Sequence, residues 1–269
     1  MGRVLAISSH VARGHVGLAA TVPALQSLAH EVWAVPTVIL ASRPGLGQLL
    51  KYPLPAVELA AMLAALEADG AWALVDAVFA GYFPSAQSVS VAAQAISRAK
   101  QARPELIVLV DPILGDADRL YVAPETAAAL RDELLPLATL ATPNLFELAW
   151  LTGRAPGSIV ELAEVAAAAR CLRLPSVVVT SARVMPAGIA TVLVSADASL
   201  ERVMPRRAGI PNGAGDLFAG LLLGRLLNGE LAADALRHGL ADLDLVLAAS
   251  EHRSCLELAA LLTRSPPLG

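Results

Sequence analysis

Short apolar runs alternate along this chain with longer stretches of alanine and leucine at helical spacing. The run at 106–110 is apolar throughout, which is typical of a strand buried on both faces. Strands that alternate with helices in this way form βαβ units, and such units build a mainly parallel sheet covered on both faces. The sequence therefore predicts an α/β fold in three layers, with a central sheet between two layers of helices.

The bounds of the individual elements follow from periodicity and turn residues. We predict strands at 3–8, 32–40, 74–80, 106–110, 138–141 and 176–180, and an antiparallel hairpin formed by 189–195 and 200–204. Helices are predicted at 17–29, 55–67, 85–103, 124–135, 144–152, 158–172, 215–227, 231–250 and 254–264. Because the chain has no internal repeat, linker or break in composition, we expect one domain over residues 1–269, with a frayed tail at 265–269.

Composition and charge exclude several classes of protein. The formal net charge is −4, so the chain lacks the basic field that attracts nucleic acid. No stretch reaches the roughly 18 consecutive apolar residues of a membrane span. The amino terminus also lacks the apolar stretch and cleavage site of a secretory signal. We therefore expect a cytoplasmic protein that has neither a nucleic-acid nor a membrane partner.

A glycine-rich turn opens an apolar helix at residues 211–220, PNGAGDLFAG. Gly213 and Gly215 permit backbone dihedral angles that direct successive amide groups toward one point. That point lies at a helix amino terminus, where an anion is favoured by ~0.3–1 kcal/mol. Asp216 on the first turn is positioned to accept a proton from a hydroxyl that attacks a phosphoryl group. The alternative is that Asp216 only caps the helix.

Further motifs accompany this turn, and the chain contains no GxxxxGK[ST] string, which excludes a P-loop kinase. In chain order the motifs are SSHV at 8–11, GHVG at 14–17, GY at 81–82, SA at 85–86, DPILGD at 111–116, TPN at 142–144 with Glu147, VVTS at 178–181 and GAGD at 213–216. On these motifs the sequence resembles pyridoxal kinases of the ribokinase-like superfamily, from residue 4 to about residue 250.

The resemblance implies a ribokinase-like three-layer sandwich that transfers the γ-phosphoryl group of ATP to the 5′-hydroxymethyl group of pyridoxal. Asp216 is implied to be the catalytic base, and the amides of Gly213, Ala214 and Gly215 are implied to form the anion hole. The family also implies Mg²⁺ and a homodimer, and it leaves room for a monovalent cation.

Four residues are expected to contact the pyridoxal-like substrate, namely Ser9, Val11, Arg43 and Tyr82. The nucleotide is expected to lie against a second group at the carboxyl edge of the sheet, which consists of Asp111, Asn144, Thr180 and Ser181. Hard oxygen ligands suit Mg²⁺, held directly or through water, and the predicted ligands are Asp116, Thr142 and Glu147. Each of these residues could instead have an ordinary structural role in a loop or at a strand end.

The loop after the second strand departs from the family pattern. Many pyridoxal kinases carry an aromatic residue followed by SNH there, and this chain has Leu40, Ser42 and Arg43. Ala214 also stands where the family usually has Thr or Val. Two alternatives therefore remain open: a kinase of the same fold for another small alcohol such as a hydroxymethylpyrimidine, and a non-catalytic protein that binds B6 vitamers.

Overall fold

A mixed sheet forms the centre of the computed structural model, which describes residues 1–46, 50–116, 119–155, 157–186 and 188–263. Within these residues the sheet has nine strands. Their order across the sheet is β11 (Ser199–Met204), β10 (Gly188–Ser195), β9 (Ser176–Met185), β8 (Leu140–Ala141), β5 (Ile107–Val110), β4 (Ala77–Ala80), β1 (Arg3–Arg13), β2 (Glu31–Ser42) and β3 (Lys51–Pro53). The six central strands, β2, β1, β4, β5, β8 and β9, run parallel to one another. At the edges, β3 is antiparallel to β2, β10 is antiparallel to β9, and β11 is antiparallel to β10. The predicted α/β fold with a mainly parallel sheet is confirmed.

The strands are β1 (Arg3–Arg13), β2 (Glu31–Ser42), β3 (Lys51–Pro53), β4 (Ala77–Ala80), β5 (Ile107–Val110), β6 (Gly115–Asp116), β7 (Arg119–Leu120), β8 (Leu140–Ala141), β9 (Ser176–Met185), β10 (Gly188–Ser195) and β11 (Ser199–Met204). The helices are α1 (Leu18–Gln26), α2 (Ala56–Ala68), α3 (Ala71–Leu74), α4 (Ala86–Ala102), α5 (Pro124–Ala129), α6 (Leu145–Leu151), α7 (Leu162–Cys171), α8 (Ala214–Leu227) and α9 (Ala232–Ala249). Among the described residues, no helix is both long and apolar enough to cross a bilayer.

Helices cover both faces of the sheet because the central strands are apolar on both sides. In β1, Val4 and Ala6 pack against α1, α8 and α9, while Leu5 and Ile7 point into the opposite core with α2 to α5. A third cluster packs α6 and α7 against β9 and β10. The alternation of successive side chains between the two faces is the period of a β-strand.

Several predicted bounds were wrong, each for a local reason. The helix predicted at 158–172 begins at Leu162, because Glu161 and Glu164 form the capping box in place of Ser158. The helix predicted at 124–135 widens into a π turn at Leu130–Leu134 and ends in a 3₁₀ turn, where Pro136 has no amide to donate. The helix predicted at 254–264 is a 3₁₀ segment at Leu258–Thr263, and the predicted tail 265–269 lies outside the described residues.

The first strand is longer than predicted. β1 continues from Ser8 to Arg13 and pairs with β2 as far as Ser42, whereas β4 pairs only with Val4 to Ile7. The two strands therefore extend as a ribbon beyond the carboxyl edge of the parallel sheet. His10 lies in this ribbon.

Candidate active site

The amino terminus of α8 lies against the loop that follows β1. Gly213 caps the helix with φ of 113°, and a β-carbon at this position would overlap the carbonyl oxygen of His15. Only glycine tolerates both the left-handed backbone and this close approach. Among the described residues, no atom outside its own helix backbone and chain neighbours lies within 4 Å of a β-carbon placed on Gly215, so this side of the first turn borders an open space, hereafter the cleft. An α-helix leaves the amides of its first turn without partners inside the helix, so they are available to bind a group that enters this space.

Asp216 lies on the same first turn and is held by α1. The amide of Gly17 and the amide of Asp216 itself lie near its carboxyl group and favour the ionised form. The hydroxyl of Thr21 donates to the backbone carbonyl of Asp216 at 3.2 Å. Among the described residues, one carboxyl oxygen, Oδ1, is buried without a hydrogen-bond partner. Burial raises the pKa of Asp216 from 3.8 to about 6, although the two amides oppose the shift.

Asp111 follows β5 and approaches Asp216 from the sheet. It is buried, and its Oδ1 accepts a hydrogen bond of 2.8 Å from the hydroxyl of Thr142. Burial and the negative charge of Asp216 raise the pKa of Asp111 to about 7. The cleft therefore contains two interacting carboxyl groups, Asp111 and Asp216, which an approaching cation would stabilise in their charged forms.

Glu147 anchors the loop that follows β5. Its carboxylate accepts hydrogen bonds from the amides of Asn144 at 2.8 Å, Leu114 at 3.0 Å and Gly115 at 3.5 Å. Burial and the charge of Asp111 nevertheless raise the pKa of Glu147 well above its usual range. Since backbone amides occupy this carboxylate, Glu147 fixes the loop that follows β5.

The predicted metal ligands differ in their surroundings. Asp116 is exposed at the end of β6 and forms a hydrogen bond with Tyr121, Thr142 is bound to Asp111, and Glu147 is bound to backbone amides. Among the described residues, no three His, Cys, Asp or Glu side chains form a ready cluster for a metal ion. The oxygen atoms present are the hard donors that Mg²⁺ prefers, so the residues fit a magnesium ion that arrives with phosphate ligands of its own.

The predicted nucleotide residues lie in the loops after β5 and β8 and within β9. Asn144 caps α6 by accepting the amide of Glu147 at 2.9 Å, and it donates to the carbonyl of Gly115 at 2.9 Å. The amide of Thr180 donates to the carbonyl of Pro143 at 2.9 Å. Ser181 is exposed and has φ of 48°, a left-handed conformation that is costly for a residue other than glycine. This strained backbone lies within β9, where β9 and β10 shift register.

The predicted substrate residues lie around the β1–β2 ribbon. Ser9 is 8% exposed and Val11 is buried. Tyr82 is half-buried after β4, its amide donates to the Ser8 hydroxyl at 3.0 Å, and its carbonyl accepts the Thr37 hydroxyl at 2.7 Å. Burial raises the pKa of Tyr82, which keeps its phenol neutral. These contacts hold Tyr82 beside the end of β1.

Arg43 is bound to the carboxyl-terminal part of the chain. Its Nε and Nη2 atoms donate to the carbonyl of Ser254 at 3.0 and 2.7 Å, and Nη1 donates to the carbonyl of Pro44 at 3.0 Å. Asn212, which precedes the glycine-rich turn, donates to the same Pro44 carbonyl at 3.3 Å. The loop that departs from the family pattern is therefore hydrogen-bonded to Asn212, which precedes the glycine-rich turn, and to Ser254, which follows α9.

Sequence reasoning assigned no role to the residues that hold Asp216 from α1. Gly17 belongs to a recognised motif, yet sequence spacing does not indicate that its amide lies near a side chain about 200 positions away. Thr21 could not be predicted from the sequence, because a buried threonine on a helix is an ordinary core residue. His15 belongs to the same motif as Gly17, and its buried Nδ1 has no hydrogen-bond partner among the described residues.

Comparison with known proteins gives consistent matches over nearly the whole chain. A family model described as phosphomethylpyrimidine kinase matches residues 14–250. A pyridoxine/pyridoxal/pyridoxamine kinase of Bordetella bronchiseptica is 36% identical over 262 residues, which cover 95% of this chain and 92% of that protein. A pyridoxal kinase of Corynebacterium diphtheriae is 34% identical over 87% of this chain and 84% of its own length.

The fold matches solved structures equally well. Pyridoxal kinase from Leishmania donovani in complex with ADP and pyridoxamine superimposes with a TM-score of 0.89 at 26% identity, covering 98% of this chain and 97% of that chain.

Proposed function

Because this chain belongs to the phosphomethylpyrimidine kinase family, and within it to the pyridoxal kinases, we propose that it transfers the γ-phosphoryl group of ATP to the 5′-hydroxymethyl group of pyridoxal. The observation that carries this proposal is the first turn of α8. There, among the residues that the structure describes, Asp216 has a buried carboxyl oxygen without a hydrogen-bond partner, and the neighbouring Gly215 borders open space. A proton acceptor and an anion-binding turn on one helix end suit the attack of an alcohol on a phosphoryl group.

In the proposed reaction the oxygen of the acceptor alcohol forms a bond to the γ-phosphorus. The bond from that phosphorus to the bridging oxygen of ATP breaks, and ADP leaves with the electron pair. Asp216 takes the proton of the alcohol, for which it must be ionised. The amides of Gly213, Ala214 and Gly215 stabilise the negative charge on the oxygens of the transferred group.

The nucleotide is proposed to bind along Asp111, Asn144, Thr180 and Ser181. The buried carboxyls of Asp111 and Glu147 would repel a bare triphosphate, so a divalent cation is required beside them. Mg²⁺, held by oxygen atoms of Asp116, Thr142 and Glu147 directly or through water, would neutralise phosphate charge when bound. A further monovalent cation stays a prediction.

The acceptor is proposed to lie against Ser9, Val11 and Tyr82, below the loop that carries Arg43. With its guanidinium bound to the Ser254 carbonyl, Arg43 acts on the acceptor by keeping this loop closed. The named relatives include a kinase for three B6 vitamers. We therefore propose that pyridoxine and pyridoxamine are also accepted.

We also propose a homodimer that uses the edge formed by β2, β3 and the start of α2. Ile39 and Tyr52 pair across the two strands and are 49% and 63% exposed, and Val57 is 71% exposed. Exposed apolar side chains grouped at a sheet edge favour burial against a second copy. Light scattering should give twice the chain mass, and Tyr52→Glu should reduce it to the monomer. The cytoplasmic location and the single domain stay predictions.

The proposal is tested with purified protein, Mg-ATP and a panel of acceptors ranked by kcat/KM. We expect pyridoxal to give pyridoxal 5′-phosphate with the highest kcat/KM, above hydroxymethylpyrimidine. A higher kcat/KM for hydroxymethylpyrimidine would identify that compound, and not pyridoxal, as the preferred acceptor. Tight pyridoxal binding in calorimetry without ATP turnover would instead identify a non-catalytic vitamer-binding protein.

A further inference from the structure

We propose that the amino-terminal end of α1 is a positioning element for the catalytic base, and that the amide of Gly17 orients the Asp216 carboxyl group toward the acceptor alcohol. This inference rests on the proposed role of Asp216 and goes beyond it. It assigns a function to residues about 200 positions away in the chain, none of which needs to contact ATP or the acceptor.

The first argument is the geometry of Gly17. It caps α1 with φ of 55° and ψ of −136°, a backbone conformation that side chains strongly disfavour. A β-carbon here would overlap both the carbonyl and the hydroxyl of Ser9. Gly17 is therefore pressed against Ser9 of β1, and its amide lies near the Asp216 carboxyl group, where it favours the ionised form. Close packing of this kind leaves the amide little freedom to move away from Asp216.

The second argument is the contact between α1 and α8. Thr21, which is fully buried, donates its hydroxyl hydrogen to the backbone carbonyl of Asp216. One turn further along α8, a β-carbon on Gly220 would lie 2.9 Å from the Ala24 β-carbon and 3.0 Å from the Thr21 carbonyl. The two helices thus touch through their backbones next to the base. α1 therefore fixes both the main chain and the side chain of Asp216.

The third argument is that the amino termini of two helices converge on one carboxyl group. Asp216 is on the first turn of α8, and Gly17 caps α1, so both ends present unpaired amides near it. Burial of Asp216 acts in the opposite direction and favours the neutral carboxyl group. His15 packs its carbonyl on Gly213 from the loop between β1 and α1. Removal of the Gly17 amide would leave the effect of burial opposed only by the amide of Asp216 itself.

The decisive test is Gly17→Ala, which displaces the amide through the overlap with Ser9. We expect kcat to fall at least ~10-fold at the pH optimum, because small displacements of a catalytic group are costly. KM for ATP should change less than twofold, and the acid limb of the kcat profile should move up by about one pH unit. Gly153→Ala is the matched control, since Gly153 also has positive φ, of 67°, but no described residue would lie within 4 Å of its added β-carbon. It should leave kcat and the pH profile unchanged.

A second pair of variants keeps the test decisive if Gly17→Ala does not fold. Thr21→Val preserves shape and removes the hydroxyl, so we expect a fall in kcat, whereas Thr21→Ser should restore it. Wild-type kcat and an unmoved acid limb in Gly17→Ala, or wild-type kcat in Thr21→Val, would overturn the inference. So would a change confined to the acceptor KM, which would indicate an effect through Ser9 alone.

Asp216→Asn, measured alongside, separates this inference from the proposed function. If Asp216→Asn is inactive while Gly17→Ala is normal, only the positioning role fails. If Asp216→Asn retains full activity, the role of the base itself fails.

Discussion

Replacing Asp216 by Asn is expected to make the ligand-free protein more stable while it removes activity. Two nearby amides favour the carboxylate, but its Oδ1 is buried without a hydrogen-bond partner among the described residues. Its pKa is raised from 3.8 to about 6, so the folded state prefers the neutral form. A raised pKa contributes stability below pH 4, and this contribution is lost as the pH rises through 6. At pH 8 Asp216 is ionised in the folded protein, so the full unfavourable free energy of its buried charge reduces the stability.

The size of the effect follows from the shift of about two pKa units, which corresponds to at most ~3 kcal/mol. Because Asp216 keeps some contact with solvent, we expect about 1–2 kcal/mol. For a chain of this size that is roughly 2–6 °C in Tm. Asn has nearly the same shape and can accept the Gly17 amide, so little else changes. Turnover should fall by at least ~10² through loss of the base.

The assay is thermal or chemical unfolding of wild type and Asp216→Asn, without ligands, at several pH values between 4 and 8. The stability difference should be near zero at pH 4 and should increase through pH 6 in favour of Asn. Asp69→Asn, at an exposed position after α2, is the control and should show no such trend. A difference that is independent of pH, or an Asn variant less stable than wild type at pH 8, would refute the reasoning.

Three further predictions follow from the same site. In wild type, kcat/KM should decrease as the pH falls below about 6, because Asp216 must be ionised to accept a proton, and a pH profile with pyridoxal measures this. Gly215→Ala should raise stability by ~0.5–1 kcal/mol and lower kcat, because alanine favours a helix but its methyl group enters the cleft; denaturant titration and initial rates check both. Arg43→Ala removes the hydrogen bonds to the carbonyls of Ser254 and Pro44, so KM for the acceptor should rise several-fold with a smaller change in kcat, measured by initial rates.

The sheet could be predicted because the central strands are recognisable from their own residues, without knowledge of the strands with which they pair. A run such as 107–110 is apolar on both faces whatever its partners are, and helices such as α4 have clear ends. β3, β6 and β7 have only two or three residues, too few for a period to be recognised. The extension of β1 to Arg13 depends on pairing with β2, and its polar residues Ser8 to His10 resemble a loop.

The site was predictable where one local motif contains the chemistry, as in residues 213–216. Contacts between distant parts of the chain could not be read from the sequence. The hydrogen bond from Arg43 to Ser254 joins residues 211 positions apart, and nothing near Arg43 specifies a carbonyl as its partner. The capping role of Glu147 could not be predicted either, because a single glutamate in the sequence could equally well be a metal ligand.

The packing of α8 between α1 and α9 has a consequence for synthesis of the chain on the ribosome. Phe79 and Leu109 on β4 and β5 pack in the same core as α8, which is made after two hundred residues have been joined. Until then one face of the sheet lacks much of its cover, and exposed apolar strands of this kind invite aggregation or chaperone binding. The same late segment contains the glycine-rich turn. A nascent chain can therefore catalyse the reaction only after α8 has been made, and at that point α8 also covers the apolar face of the sheet and protects it from aggregation.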